Sequence, residues 1–261
     1  MYFESNESVI AYFAANPGLT SLLIDGSPDV TELPELPSSL RYLVVAHCMR
    51  LTSLPLLPSS LERLRVVDCP CLTSLPQLPD SETSLEVEFC PGLTGLPGLP
   101  RSLNRLLVAR CQRLTSIGQL PNSLHVLLID HCSGLASIPH LPDAVRSLRA
   151  WDCPGLTGLP ALPSSLTKLM VHSCPGLPSL PELPRSLTCL WLNKCPRLAS
   201  LPELPSSLTE LLVENCRGLM SLPELPASLK VLRVHYCPSL KGLPALPDTV
   251  SECDLTAFDE L

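Results

Sequence analysis

Aliphatic residues recur along this chain at fixed places in a 21-residue unit, with polar or variable residues between them. The unit reads L-x-x-L-x-V-x-x-C-x-x-L-x-x-L-P-x-L-P-x-S, and full copies begin at Leu19, Leu40, Leu61, Glu82, Leu103, Leu124, Val145, Leu166, Leu187, Leu208 and Leu229. A truncated copy begins at Val250. The fourth position is leucine in every full copy, from Leu22 to Leu232, and the eighteenth is leucine from Leu36 to Leu246. Two residues break the frame: Glu82 stands in a leucine position and Gly118 replaces the first proline of its Leu-Pro-x-Leu-Pro segment. A fixed period of this size predicts a solenoid of stacked repeats.

The first third of the unit alternates apolar and variable residues, which predicts a short strand with Leu and Val on one face. Two prolines three residues apart remove amide donors and fix φ, so the Leu-Pro-x-Leu-Pro part is predicted to run extended and polyproline-like. Each unit is then a strand, a turn at the cysteine and an extended return. Six aliphatic side chains stabilise by roughly 1.5–3 kcal/mol each, while ordering a residue's backbone costs about 1–2 kcal/mol. A single unit therefore cannot fold alone, and stacking has to supply the rest.

Ten cysteines share one position of the unit: Cys48, Cys69, Cys90, Cys111, Cys132, Cys153, Cys174, Cys195, Cys216 and Cys237. Ser27 takes that place in the first copy and Phe258 in the last. Stacked copies put neighbouring thiols about 4.8 Å apart with parallel Cα–Cβ vectors, a poor geometry for a disulfide. The expectation is a buried ladder of reduced thiols, each donating to a carbonyl of the turn, in a reducing compartment. Three cysteines lie off the ladder: Cys253 in a core leucine position, Cys71 in a turn, and Cys189 on an outward strand position, the thiol expected to react first.

This unit resembles the leucine-rich repeat over about residues 19 to 258. The expected fold class is a leucine-rich-repeat horseshoe, with a parallel β-sheet on the concave face, polyproline-like segments on the convex face and few helices. Return segments such as Leu180-Pro-Glu-Leu-Pro-Arg-Ser-Leu187 resemble the bacterial effector class of YopM-like and IpaH-type proteins. That class carries Asn where this chain has Cys. The Cys-x-x-Leu form also resembles terminal repeats of plant intracellular immune receptors. The effector resemblance implies a type III secreted protein acting in host cytosol. IpaH-type relatives carry a ubiquitin-ligase domain after their repeats, and this sequence stops in its last half-repeat, so the expectation is a recognition module without that domain.

The chain is predicted to divide into a helical cap over residues 1–18, eleven repeats over 19–249 and a half-repeat cap over 250–261. In the first, residues 4–15 read as a short helix with Ser5 or Asn6 as N-cap and Asn16-Pro17-Gly18 as its stop, Val9, Ile10 and Phe13 covering the first repeat. At the other end Leu255 and Phe258 are expected to enter core positions.

Net charge is −7 with no basic run, which argues against a nucleic-acid partner. There is no stretch of 18 apolar residues to span a membrane. Of the 30 prolines, 21 fill the return segments, so the solenoid accounts for that unusual content. His47-Cys48 and His131-Cys132 are adjacent in sequence, yet each cysteine belongs to the ladder, and six histidines scattered over different positions build no metal cluster. No phosphate loop is present. The expectation is no catalytic residue, no metal and no cofactor.

Binding is expected on the third, fifth and seventh positions, which face outward between core residues. None of the ten aromatics lies in a core position of the full repeats. Tyr42, Phe89, Trp151, Trp191 and Tyr236 lie at variable strand positions, the tryptophans on the concave face and exposed. Arg149, Trp151, Met170, His172, Trp191, Asn193 and Leu212 form the candidate protein-binding strip, since aromatic, Met and Arg side chains in a polar surround mark binding hot spots. An earlier stretch of Tyr42, Arg63, Arg65, Glu86, Glu88 and Arg105 mixes charges. The leading expectation is a non-enzymatic module that grips a host protein. The alternatives are the substrate-recognition part of a ubiquitin ligase and a self-associating solenoid.

Overall fold

A computed structural model describes residues 1–256. The chain forms two compact units, one of residues 1–124 with 131–135 and the other of residues 125–130 with those from 136 on. The first holds helix α1 (Asn6–Ala15) and strands β1 (Ser21–Asp25), β2 (Tyr42–Ala46), β3 (Arg63–Val67), β4 (Ser84–Glu88) and β5 (Arg105–Ala109). The second holds β6 (Val126–Asp130), β7 (Ser147–Trp151), β8 (Lys168–His172), β9 (Cys189–Asn193), β10 (Glu210–Glu214), β11 (Val231–His235) and β12 (Glu252–Thr256). In each unit the strands are parallel and pair in sequence order. This is the parallel leucine-rich-repeat solenoid that the periodicity predicts.

Register follows the repeat without slippage: Leu22 stands beside Leu43, Leu43 beside Leu64, and Leu190 beside Leu211. A slip of one residue would turn every Leu and Val of a strand out to solvent, so the core fixes the pairing. Leu64 and Val66, or Leu190 and Leu192, are at most 1% exposed. The return segments form neither helix nor regular strand, apart from the single bridges Gly95–Ser116 and Ser200–Ser221.

Two tight turns close each repeat. In one, the amide after Cys-x-x donates to the cysteine carbonyl, as Leu72 to Cys69 at 3.1 Å. In the other, the amide after Pro-x-Ser donates to the proline carbonyl, as Leu61 to Pro58 at 3.0 Å. The residue just before each ladder cysteine adopts positive φ, near 50° at His47, Asp68, Phe89, Arg110, His131, Asp152, Ser173, Lys194, Asn215 and Tyr236. Phe89 and Tyr236 therefore belong to this left-handed turn, one residue past the strand positions expected for them. Gly118 has φ +76, a value closed to proline, which explains why the return motif breaks there.

The ladder cysteines are fully buried, and their thiols donate to the carbonyl two residues back, as Cys69 to Val67 at 3.5 Å and Cys216 to Glu214 at 3.4 Å. Val67's carbonyl also accepts from the His47 amide at 2.9 Å, so the thiol fills a second lone pair at the turn. Burial pushes Cys90 and Cys111 up to about 12, keeping them neutral. No two of the thirteen described cysteines form a disulfide. A second ladder was not anticipated. The hydroxyl residue that ends a unit donates to the first carbonyl of the same unit, as Ser60 to Leu40 at 2.7 Å, Ser186 to Leu166 at 2.7 Å and Thr249 to Leu229 at 2.8 Å. Its sequence signal is the serine that ends all full units but two, which end in Ala144 and Thr249.

Helix α1 starts at Asn6, with Ser5 as N-cap in a capping box with Ser8 and Asn16 as C-cap. It buries Val9 and Phe13, whereas Ile10 is 52% exposed and covers nothing, contrary to expectation. Residues 1–3 run along β1: the Met1 amine donates to Leu23, the Asp25 amide to Met1, and the Phe3 amide to the Ser27 hydroxyl at 2.8 Å. Serine thus stands in the first copy's cysteine position as a buried acceptor for that amide. Cys253 keeps core register opposite Leu232 yet is exposed, which corrects its expected burial. Leu255 is half-buried, and Phe258 lies outside the described residues.

Candidate protein-binding face

Because Leu and Val at the fourth and sixth positions point inward, the third, fifth and seventh share the outer sheet face. In the second unit the fifth positions align as a column: Arg149 beside Met170, Met170 beside Trp191, and Trp191 beside Leu212. The seventh positions form a parallel column of Trp151, His172, Asn193 and Glu214. All seven candidate binding residues thus fall on four consecutive strands, β7 to β10.

The two tryptophans sit two strands apart, where backbone spacing alone places them roughly 10 Å from each other. Their rings nevertheless meet, edge to face, with centroids 5.5 Å apart at 86°. The Trp151 ring also lies 5.2 Å from the His172 ring. On it rests the Arg149 guanidinium, 3.3 Å from the ring centroid. Such contacts add roughly 0.5–1.5 kcal/mol per aromatic pair beyond burial, and a cation on an indole face adds about 0.5–2 kcal/mol. Both tryptophans are consequently half-buried, not exposed as expected.

That packing leaves polar atoms stranded. Arg149 Nε, Trp151 Nε1 and Trp191 Nε1 are buried with no hydrogen-bond partner among the described residues. His172 Nδ1 stands 3.6 Å from Asp152 Oδ2, at ion-pair range but beyond a hydrogen bond. Met170 and Leu212 are half-buried in the same column. Asn193 behaves differently: it is only 9% exposed, its Nδ2 donates to Glu214 Oε2 at 2.8 Å, and its Oδ1 accepts from Asn215 Nδ2 at 3.3 Å. It belongs to an internal polar network with Glu214 and Asn215, a pair whose cooperation the repeat pattern did not reveal.

Cys189 is a correction. It was expected to be the outward, reactive thiol, but it is 7% exposed, and burial, reinforced by nearby Glu210, pushes it up to about 11. Its register neighbours are Lys168 and Glu210, two long side chains flanking a short one. Cys71 is exposed.

The histidine–cysteine neighbours do not form dyads. His47 Nδ1 meets Asp25 Oδ1 at 2.7 Å on the surface, which raises its pKa, while the Cys48 thiol is buried and donates to the Ala46 carbonyl. The Cys132 thiol is equally buried and donates to Val108. His235 Nε2 and Asp254 Oδ1 stand 3.1 Å apart as an ion pair. Against the expectation that the histidines build no metal cluster, Asp130, His131 and Asp152 bring one potential ligand atom each within 4.8 Å of one another.

The sequence matches no protein-family model and no curated protein. Among solved structures the chain is similar to YopM from Yersinia enterocolitica WA-314, with 29% identity and a TM-score of 0.57 over 91% of this chain. It spans 59% of that protein's length. It is also similar in fold to the leucine-rich repeat domain of the type III effector XopL, with 21% identity and a TM-score of 0.50, over 95% of this chain and 80% of that one.

Proposed function

We propose that this chain is a non-enzymatic protein-binding module that grips its partner with the outer face of β7 to β10. The observation that carries this reading is the Arg149–Trp151–Trp191 stack, a half-buried aromatic surface whose N–H donors lack acceptors. Leaving a buried donor unpaired costs about 1–3 kcal/mol. The chain by itself gains nothing from such a cost. A partner that brings carbonyl or carboxylate oxygens to this face, and apolar groups to Met170 and Leu212, removes it. Trp and Arg are also the side chains that dominate interface energetics.

The likeness to YopM, together with the resemblance of the return segments to the bacterial effector class, supports an effector that acts on a host protein. The thiol ladder fits a reducing cytosol. To test the reading, a partner is captured from eukaryotic lysate with the full chain, identified, and titrated against two variants. Trp191→Ala should keep the far-ultraviolet circular dichroism of the parent and weaken binding at least about thirtyfold, equivalent to about 2 kcal/mol. Glu182→Ala, on an exposed part of a return segment, should change nothing measurable. Equal losses from both, or none from either, would place the partner elsewhere.

A further inference from the structure

The first unit carries a separate groove of about 470 Å³ on its own sheet face, lined by Tyr42, Arg63, Arg65, Ser84, Glu86 and Arg105 among others. Its charges do not cancel. Arg65 reaches Glu86 at 3.5 Å and Glu88 at 3.1 Å, and Arg105 shares Glu86 at 3.4 Å. Glu62, the next acid along, is already held by Arg41 at 3.0 Å and by the Tyr42 hydroxyl at 3.4 Å. Arg63 has no carboxylate partner among the described residues. Its guanidinium carbon lies 5.6 Å from the centre of the Tyr42 ring, which holds the cation at the groove by its π-face. Three guanidinium groups therefore stand against the carboxylates of Glu86 and Glu88, in a chain whose overall charge is −7. An excess of one positive charge is concentrated in a cleft, where low-dielectric walls focus the field on whatever enters.

We propose that this groove is a carboxylate-recognition site for an extended protein segment, with Arg63 as the residue that pairs with the carboxylate. The charge count selects the ligand. One unmatched guanidinium is neutralised by one singly charged carboxylate, whereas a phosphoryl dianion would overshoot and repel Glu86 and Glu88. Guanidinium and carboxylate match as a two-pronged pair. The Tyr42 ring offers an adjoining apolar surface, and the hydroxyl of Ser84 and the amide of Asn104 line the groove beside it to bind peptide backbone. The carboxylate can belong to an Asp or Glu side chain or to a chain terminus. This inference does not depend on the tryptophan strip, whose residues all lie in the other unit.

The test uses the full ¹⁵N-labelled chain and four synthetic peptides, followed by amide shifts. They are acetyl-Gly-Leu-Glu-Leu-Gly-amide, its Gln counterpart, its phosphoserine counterpart, and the Gln peptide with a free C-terminal carboxylate. Saturable shifts of the Tyr42, Arg63 and Ser84 amides are expected with the Glu peptide, the free-carboxylate peptide or both, at least about tenfold tighter than with the amidated Gln peptide, as one charge-assisted pair would give. Which of the two binds identifies the source of the carboxylate. Arg63→Gln should remove the preference, and Trp191→Ala should leave it intact. Equal binding of the Glu and amidated Gln peptides, no saturable shift with any peptide, a preference that survives Arg63→Gln, or tighter binding of the phosphoserine peptide would each overturn the proposal.

Discussion

Glu82 occupies a position that other repeats fill with Leu or Val, and its side chain has no exposure to solvent. Oε1 accepts a hydrogen bond from the Leu64 amide at 2.8 Å, while Oε2 has no partner. Burial is the larger influence and the Leu64 amide only partly opposes it, so the carboxyl is raised from 4.5 to about 8. A raised carboxyl pKa means that the folded chain holds a proton which the unfolded chain has already lost. Stability contributed by this site is therefore complete below about pH 4.5, falls as pH rises, and reaches its floor above about pH 8. Each unit of difference is worth about 1.4 kcal/mol, so the cost is about 2 kcal/mol at pH 6 and between about 4 and 5 kcal/mol at pH 9. Glu82→Gln removes the titration while keeping an acceptor for Leu64. Urea unfolding of parent and variant should show the stability advantage of the variant growing by about 3 kcal/mol from pH 6 to pH 9. Histidines and thiols titrate alike in both proteins and cancel in the difference. Glu82→Leu should show the same pH dependence with a further gain from apolar burial. An advantage equal at the two pH values would mean that Glu82 is ionised and hydrated in the folded chain, and the argument from burial would fail.

Two further outcomes follow from the core. A bulky thiol reagent under native conditions should modify Cys71 and Cys253 and leave Cys189 and the ten ladder thiols unmodified until the chain is unfolded; rapid labelling of Cys189 would show that Lys168 and Glu210 do not shield it. Leu190→Ala removes a side chain with no solvent exposure and should cost about 2–5 kcal/mol, with amide exchange rising first in β8, β9 and β10 because repeats depend on their neighbours. A uniform rise along the chain would contradict that.

The strands, their register and the buried thiols were legible because one pattern states them ten times over. Period-two alternation sets the strand, leucine at the fourth position of every full repeat sets the register, and the proline pairs exclude helix from the returns. Other features were hidden for definite physical reasons. Position in a strand fixes where Cα lies but not which way a large side chain leans, so the ring contact between Trp151 and Trp191 was invisible at the backbone spacing. Exposure of a position depends on the lengths of its register neighbours as much as on its face. A cysteine between Lys168 and Glu210 is shaded although its position points outward. The placement of Phe89 and Tyr236 failed by a single residue, because the left-handed turn begins one residue before the cysteine.

The two ladders explain why the outer face is free to diversify. In most repeats the cysteine adds a second hydrogen bond to a turn carbonyl that also accepts from the neighbouring repeat, and the closing serine satisfies the first carbonyl of its own unit, as Cys216 to Glu214 and Ser207 to Leu187 show. Leu and Val at the fourth and sixth positions supply the core. The third, fifth and seventh positions supply neither the inner core nor the two ladders, and along one column they run Arg149, Met170, Trp191, Leu212. Where a residue on that face carries a cost, as the unpaired indole nitrogens of Trp151 and Trp191 do, the fold gives no reason for it. The reason has to be sought in what the face binds, which is why substitution at Trp191 is expected to spare stability and cost affinity, while substitution one residue earlier, at Leu190, is expected to do the reverse.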